Sequence, residues 1–198
     1  MIRGALAAVA ALLWTATALV TGAAVASAHQ VDPSVLTVID SITPAVAGVH
    51  VEVATSVTTE LVATNDTDQP LEVLADTGEP FLRIGPAGVE ANLASPSWYL
   101  TNDPFGTTTL PAGVAAAAPP RWVPVSREHS WGWFDHRLHP ANMTSGLSPG
   151  QRPSFRVPMR LGSTSLELRG HLEPRTTVQV FSAALRSSPA SLSWRRPR

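Results

Sequence analysis

The most constraining feature of the chain is a clean period of two followed by its own reversal. Phe155-Arg156-Val157-Pro158-Met159-Arg160-Leu161 alternates, with the four odd-numbered residues apolar. Gly162-Ser163 is a two-residue turn of the Gly-X kind, and Thr164 to His171 runs back with Leu166 and Leu168 on one face and Arg169 opposite. A chain holding such a hairpin must give it further strands to cover its apolar face.

Those strands are visible upstream at close spacing. Val35-Leu36-Thr37-Val38-Ile39-Asp40 is a β-branched run, and Val49 to Val53 alternates with His50 and Glu52 on the polar face. Glu60 to Thr64 follows, closed by the turn formers Asn65-Asp66-Thr67-Asp68, and Leu71 to Leu74 is another short strand. Phe81 to Ile84 reads as a short strand, and a long Pro/Gly-rich loop follows it to Phe105, with Trp98-Tyr99-Leu100 as aromatic anchors. Gly106 to Pro120 offers little apolar area and reads as a flexible connection. Thr177 to Phe181 is a last strand candidate. Pro158 marks its strand as an edge, because proline cannot donate to the ladder. The pattern predicts eight or nine short strands in an all-β fold, an antiparallel immunoglobulin-like sandwich with long Pro/Gly-rich loops.

An N-terminal signal helix precedes it. Arg3 supplies a positive start, Ala5 to Val20 is apolar, and Ala26-Ser27-Ala28 fits signal cleavage. The expected organisation is a signal peptide over 1–28, one sandwich domain over 29–185, and a disordered tail rich in Arg, Ser and Pro over 186–198. The chain has no Cys, so an exported domain of this size rests on its core and not on disulfides. Without Arg3, 13 Arg stand against 15 acidic residues. That near-neutral balance lacks the basic surplus expected for nucleic acid binding. The expected partner is a protein or other envelope component, with the membrane involved only through an uncleaved signal segment.

Chemistry-bearing residues concentrate between Arg127 and Pro140, which hold three of the six His and two of the six Trp. As one strand, His129 to His139 would place His129, Trp131, Trp133, Asp135, Arg137 and His139 on one face as a surface ridge, with the smaller even-numbered face pointing inward. Residues four apart on a strand lie about 13 Å apart, so this stretch can close a metal site only if the chain turns before Pro140. Trp131, Trp133 and Phe134 are expected as packing anchors, Asp135 and Arg137 as a structural ion pair, and Arg83 as a loop support bonded to carbonyls. No cysteine nucleophile, Gly-x-Ser-x-Gly elbow or phosphate-cradling loop is present, and the chain is read as non-catalytic.

Two resemblances bear on function. A mature chain beginning at His29 would offer an α-amine and an imidazole from one residue, and imidazole suits copper. In this, and in its expected compartment and fold, the chain resembles exported copper-resistance C type sandwich proteins. The resemblance implies a copper site built from His29 with His129, His136 or His139. The middle of the chain is similar to a group of secreted actinobacterial proteins. That similarity rests on Leu71 to Leu74, on Gly78-Glu79-Pro80-Phe81-Leu82-Arg83-Ile84-Gly85-Pro86, on Ser95-Pro96, and on Trp131 to His139 with its Asp135-His136-Arg137 core. It implies an exported cell-envelope protein and brings no catalytic residues with it.

Overall fold

The computed structural model describes residues 34–55, 58–103, 107–139, 147–148 and 150–175. The signal segment, His29, the strand expected over Thr177 to Phe181 and the tail from 186 lie outside the described residues. In chain order the strands are β1 (Val35–Thr43), β2 (Val49–Thr55), β3 (Thr59–Asn65), β4 (Leu71–Leu74), β5 (Pro80–Gly85), β6 (Gly88–Asn92), β7 (Trp122–Ser126), β8 (Ser130–Phe134), β9 (Ser154–Leu161) and β10 (Thr164–Pro174). Among the described residues one short helix, α1 (Pro96–Leu100), follows β6, and one 3-10 turn, His136–Leu138, follows β8.

The strands form an all-β sandwich of two antiparallel sheets. The larger is ordered β1-β10-β9-β4-β5-β6-β7 and the smaller β2-β3-β8. The β9–β10 hairpin is the seed the sequence predicted. Leu161 pairs with Thr164 across Gly162-Ser163, and Gly162 takes φ +56°, the sign such a turn requires. Burial alternates along both strands, sending Phe155, Val157, Met159 and Leu161 with Leu166, Leu168 and Leu172 into the core. Leu71, Val73, Leu82, Ile84 and Val89 extend that apolar layer across β4 to β6, and Val49, Leu61, Ala63 and Trp133 meet it from the smaller sheet. Each Val, Leu, Ile, Phe or Met side chain among them contributes on the order of 1.5–3 kcal/mol through its removal from water.

Turn chemistry fixes the corners. Asn65 accepts from the Thr67 amide at 3.1 Å and donates to the Gln69 and Ile84 carbonyls at 2.7 and 2.8 Å, joining the β3–β4 turn to β5.

The structure corrects the edge assignment of Pro158. Strand β9 is interior, paired with β10 on one side and with β4 on the other. Counting back from the hairpin's closing pair, Pro158 falls at a position whose N–H points away from β10. On that other side the β4 ladder ends at Val73–Met159, so the missing donor costs no bond. A strand and a helix, β6 and α1, occupy the stretch expected to be loop, and β7 is a strand in residues given no element. Strand β6 doubles back on β5 through Gly88, which has φ +113° and no room for a Cβ against Ser126 and Arg127. Strand β7 closes the sheet as an edge strand in which Pro124 is tolerated.

Gly170 is covered by the ring of Phe155, its cross-strand partner, and a Cβ there would overlap both that ring and the Val38 carbonyl. Gly170→Ala is therefore expected to destabilise the fold by about 2–3 kcal/mol, the scale of an overpacked core. Urea unfolding checks this, and an unchanged midpoint would contradict the packing.

Candidate functional site

The aromatic and histidine-rich stretch is built differently from the single strand that alternation suggests. Strand β8 ends at Phe134, and its pairing with β3 sets Trp133 opposite Leu61 and Trp131 opposite Ala63. Leu61 and Ala63 are core residues, so the odd-numbered face of β8 points inward. The expected surface ridge of two tryptophans is thus the core face. Trp133 is buried, its ring edge-on to Phe81 of β5 at 6.3 Å between centroids. Trp131 is half-buried, 6.2 Å from Trp98 of α1.

Burying Trp133 brings its indole N–H into the protein, where it needs an acceptor. Asp135 supplies one, at 2.9 Å from Nε1 to Oδ2. Asp135 is only 3 % exposed and is also the N-cap of the 3-10 turn, accepting from the Arg137 amide at 3.0 Å. The Arg137 side chain closes on both carboxylate oxygens, Nε to Oδ1 and Nη2 to Oδ2, each at 2.7 Å. This bidentate fork is the strong form of the carboxylate–guanidinium pair. Nη1 of Arg137 reaches across to the Leu74 carbonyl at 3.2 Å and to Asp76 at 3.3 Å, tying the turn to the end of β4. Burial alone would raise the Asp135 pKa. The hydrogen bonds and charge of Arg137, with the Trp133 N–H, outweigh it and hold the carboxyl below its ordinary value. Burial likewise disfavours the Arg137 cation, but Asp135 and then Asp76 raise its pKa on balance. The expected Asp135–Arg137 ion pair is present, made through a capped turn and not along a strand face.

The same turn places the histidines. His136 points Nε2 at the Leu100 carbonyl of α1, 3.2 Å away, and meets the Phe134 ring edge-on. His139 stacks on Phe134 at 4.4 Å, with Nε2 at 3.1 Å from the Thr59 carbonyl. Both contacts require a protonated Nε2. His129 stands exposed ahead of β8, its carbonyl accepting from the Asn65 amide. Among the described residues no three His, Asp or Glu side chains gather as a ligand set. Arg83 lies elsewhere, on the outer face of the larger sheet. It pairs with Glu72 at 2.8 Å and Glu90 at 3.4 Å and lies 3.9 Å over Trp122, so its partners are carboxylates and a ring in place of the expected carbonyls.

What the turn does build is a wall. A cavity of about 320 Å³ lies between the β4–β5 turn, α1 and the Asp135–Arg137 turn, within the size range of small-molecule sites. Phe81, Pro96, Leu100 and Ala116 give it apolar sides, while Asp76, Glu79, Asp135, His136 and Arg137 bring charge and hydrogen-bonding groups. The segments Gly78–Pro86, Ser95-Pro96 and Trp131–His139, far apart in sequence, each contribute lining residues.

Glu79 is the residue sequence reasoning missed. It is 8 % exposed, and Ser95 and Ser97 donate to its Oε1 at 3.1 and 2.9 Å while Thr77 donates to Oε2. Ser95 is also the N-cap of α1, accepting from the Ser97 amide, and Pro96 fills the first helical position. The carboxylate and the helix start are thus one hydrogen-bonded unit. No local signal marks it, because Ser95 and Ser97 lie 16 and 18 residues away in sequence.

No protein-family model, curated protein or solved structure matches the chain.

Because the folded protein favours ionised Asp135, this group stabilises the fold fully above the ordinary carboxyl value of about 4 and ceases to as pH falls through its lower folded value. Asp135→Asn should cost about 3 kcal/mol at neutral pH by leaving Arg137 without its buried partner. It should also flatten the fall of stability below about pH 4. Urea midpoints from pH 7 down to 2 check both, and a variant with a steeper acid limb would contradict the assignment.

Proposed function

We propose that the protein is an exported, non-catalytic binding module of the cell envelope whose ligand site is the cavity beside Asp135 and Arg137. The observation that carries this reading is the convergence of three sequence segments on one preorganised concavity. Those segments are also the ones that resemble the secreted actinobacterial group. Binding is favoured over catalysis because the buried carboxylates in the wall are engaged: Asp135 by Trp133 and Arg137, and Glu79 by three hydroxyls. Export rests on the Arg3 to Ala28 signal pattern. An immunoglobulin-like type belongs to the same proposal. Two facing antiparallel sheets support it, although seven and three strands divide less evenly than the four and three of a constant-type domain.

The test is fragment screening by ligand-observed NMR on the mature chain. Hits should lose their signal in Ala116→Trp, which fills the cavity from its rim. Hits indifferent to that substitution would place binding elsewhere and remove the proposal. Mass spectrometry of protein secreted by a bacterial host should find His29 first; a retained chain of full length would contradict export.

One observation favours a second reading, extracytoplasmic copper binding through His29 with His129, His136 or His139. The turn required before Pro140 exists, and it brings the His136 and His139 rings to the same phenyl group. Cu(II) titration followed by tryptophan fluorescence separates the two. The copper reading requires stoichiometric quenching that His136→Ala abolishes, and the binding-module reading requires none.

A further inference from the structure

We infer that the cavity receives a primary ammonium group on a short apolar stem, the chemistry shared by a lysine side chain and a free alkylamine. This rests on the cavity being the ligand site and adds the ligand's class. Three carboxylates (Asp76, Glu79, Asp135) line the cavity against one guanidinium, that of Arg137. Asp135 and Arg137 neutralise one another in a bidentate pair, so the surplus negative charge belongs to Glu79 and Asp76. Among the described residues no cation stands within ion-pair distance of Glu79; its donors are the hydroxyls of Thr77, Ser95 and Ser97. A buried carboxylate held by neutral donors alone remains an uncompensated charge in a medium of low polarity. It accepts about four hydrogen bonds in all, and with three in place it has capacity for one more donor.

The same walls exclude the opposite class. Arg137 already uses Nε, Nη1 and Nη2 on Asp135, Leu74 and Asp76, so an anionic ligand meets Glu79, which has no cation, Asp76, which only shares Arg137 with Asp135, and an occupied guanidinium. Phe81, Pro96, Leu100 and Ala116 supply a sleeve for methylenes behind the charged head. Ammonium with an apolar stem is the ligand complementary to both parts.

The experiment compares n-hexylammonium, n-hexanol and hexanoate binding to the full mature chain by chemical-shift titration, with Nα-acetyl-lysine methylamide as a fourth probe. Hexylammonium should bind at least about tenfold more tightly than hexanol or hexanoate, a modest gain for one partly buried charge pair. Glu79→Gln, confirmed as folded by circular dichroism, should bring it down to the hexanol level. Asp76 has a side chain 76 % exposed, so Asp76→Asn, with its fold confirmed in the same way, tests the charge at the rim, and it should weaken hexylammonium alone by about threefold. The acetyl-lysine probe binding as well as the free amine would assign the natural source to a protein side chain, and its failure beside a binding hexylammonium would assign it to a free amine. Hexanoate binding equally well, or an ammonium preference that survives both substitutions, overturns the inference while leaving the cavity as a site. No probe shifting any cavity resonance overturns both.

Discussion

A carboxylate taken out of water must find donors on every side, and Asp135 finds them in three different structural roles. It receives the Trp133 indole from the core, the Arg137 amide from the turn it caps, and the Arg137 guanidinium from the wall of the cavity. Each role constrains a different part of the molecule. The indole bond fixes the ring that meets Phe81 across the sandwich. The cap turns the chain out of β8 into the 3-10 turn His136–Leu138. The guanidinium spans to Leu74 and Asp76 and so anchors the β4–β5 turn. Removing one partner leaves the others buried without compensation, which is why such units couple more strongly than their separate contacts suggest.

Glu79 forms the complementary half of the concavity by a different route. Where Asp135 is neutralised by a cation, Glu79 is held by hydroxyls from its own turn and from the start of α1. A five-residue helix would be marginal alone. Here it is secured at its N-terminus by Ser95 and Pro96 and at its last residue by the His136 contact to the Leu100 carbonyl. The helix and the turn therefore face each other across the cavity with both ends of the geometry fixed.

How far the sequence reveals this depends on the range of the interaction. The hairpin at Gly162-Ser163, the alternation of β2 and β9, and the turn at Asn65 to Asp68 are legible because a period of two and turn residues act within a few positions. The Asp135–Arg137 pair is legible for the same reason, its partners being two residues apart. Hidden are the features decided by distant partners. Strand β6 is short and poor in large residues and depends on β5 for its pairing, while β7, masked by Pro124, depends in turn on β6. Alternation over His129 to His139 suggests a longer strand because nothing local shows that Asp135 will prefer to cap a turn. The inward direction of Trp131 and Trp133 follows from Leu61 and Ala63 on β3, and the role of Glu79 from Ser95 and Ser97, 16 and 18 residues away. Arg83 lies within a recognisable motif, yet its partners Glu72, Glu90 and Trp122 come from three other strands.

The central claim is that Asp135 couples the turn after β8 to the β4–β5 turn and thereby holds the cavity open. Hydrogen–deuterium exchange of the native chain and Asp135→Asn, measured under conditions where both are folded, tests it directly. The account predicts that protection is lost together in the segments 133–139 and 74–79, while the β9–β10 hairpin keeps its wild-type rates. Loss confined to 133–139, with 74–79 unchanged, would contradict it.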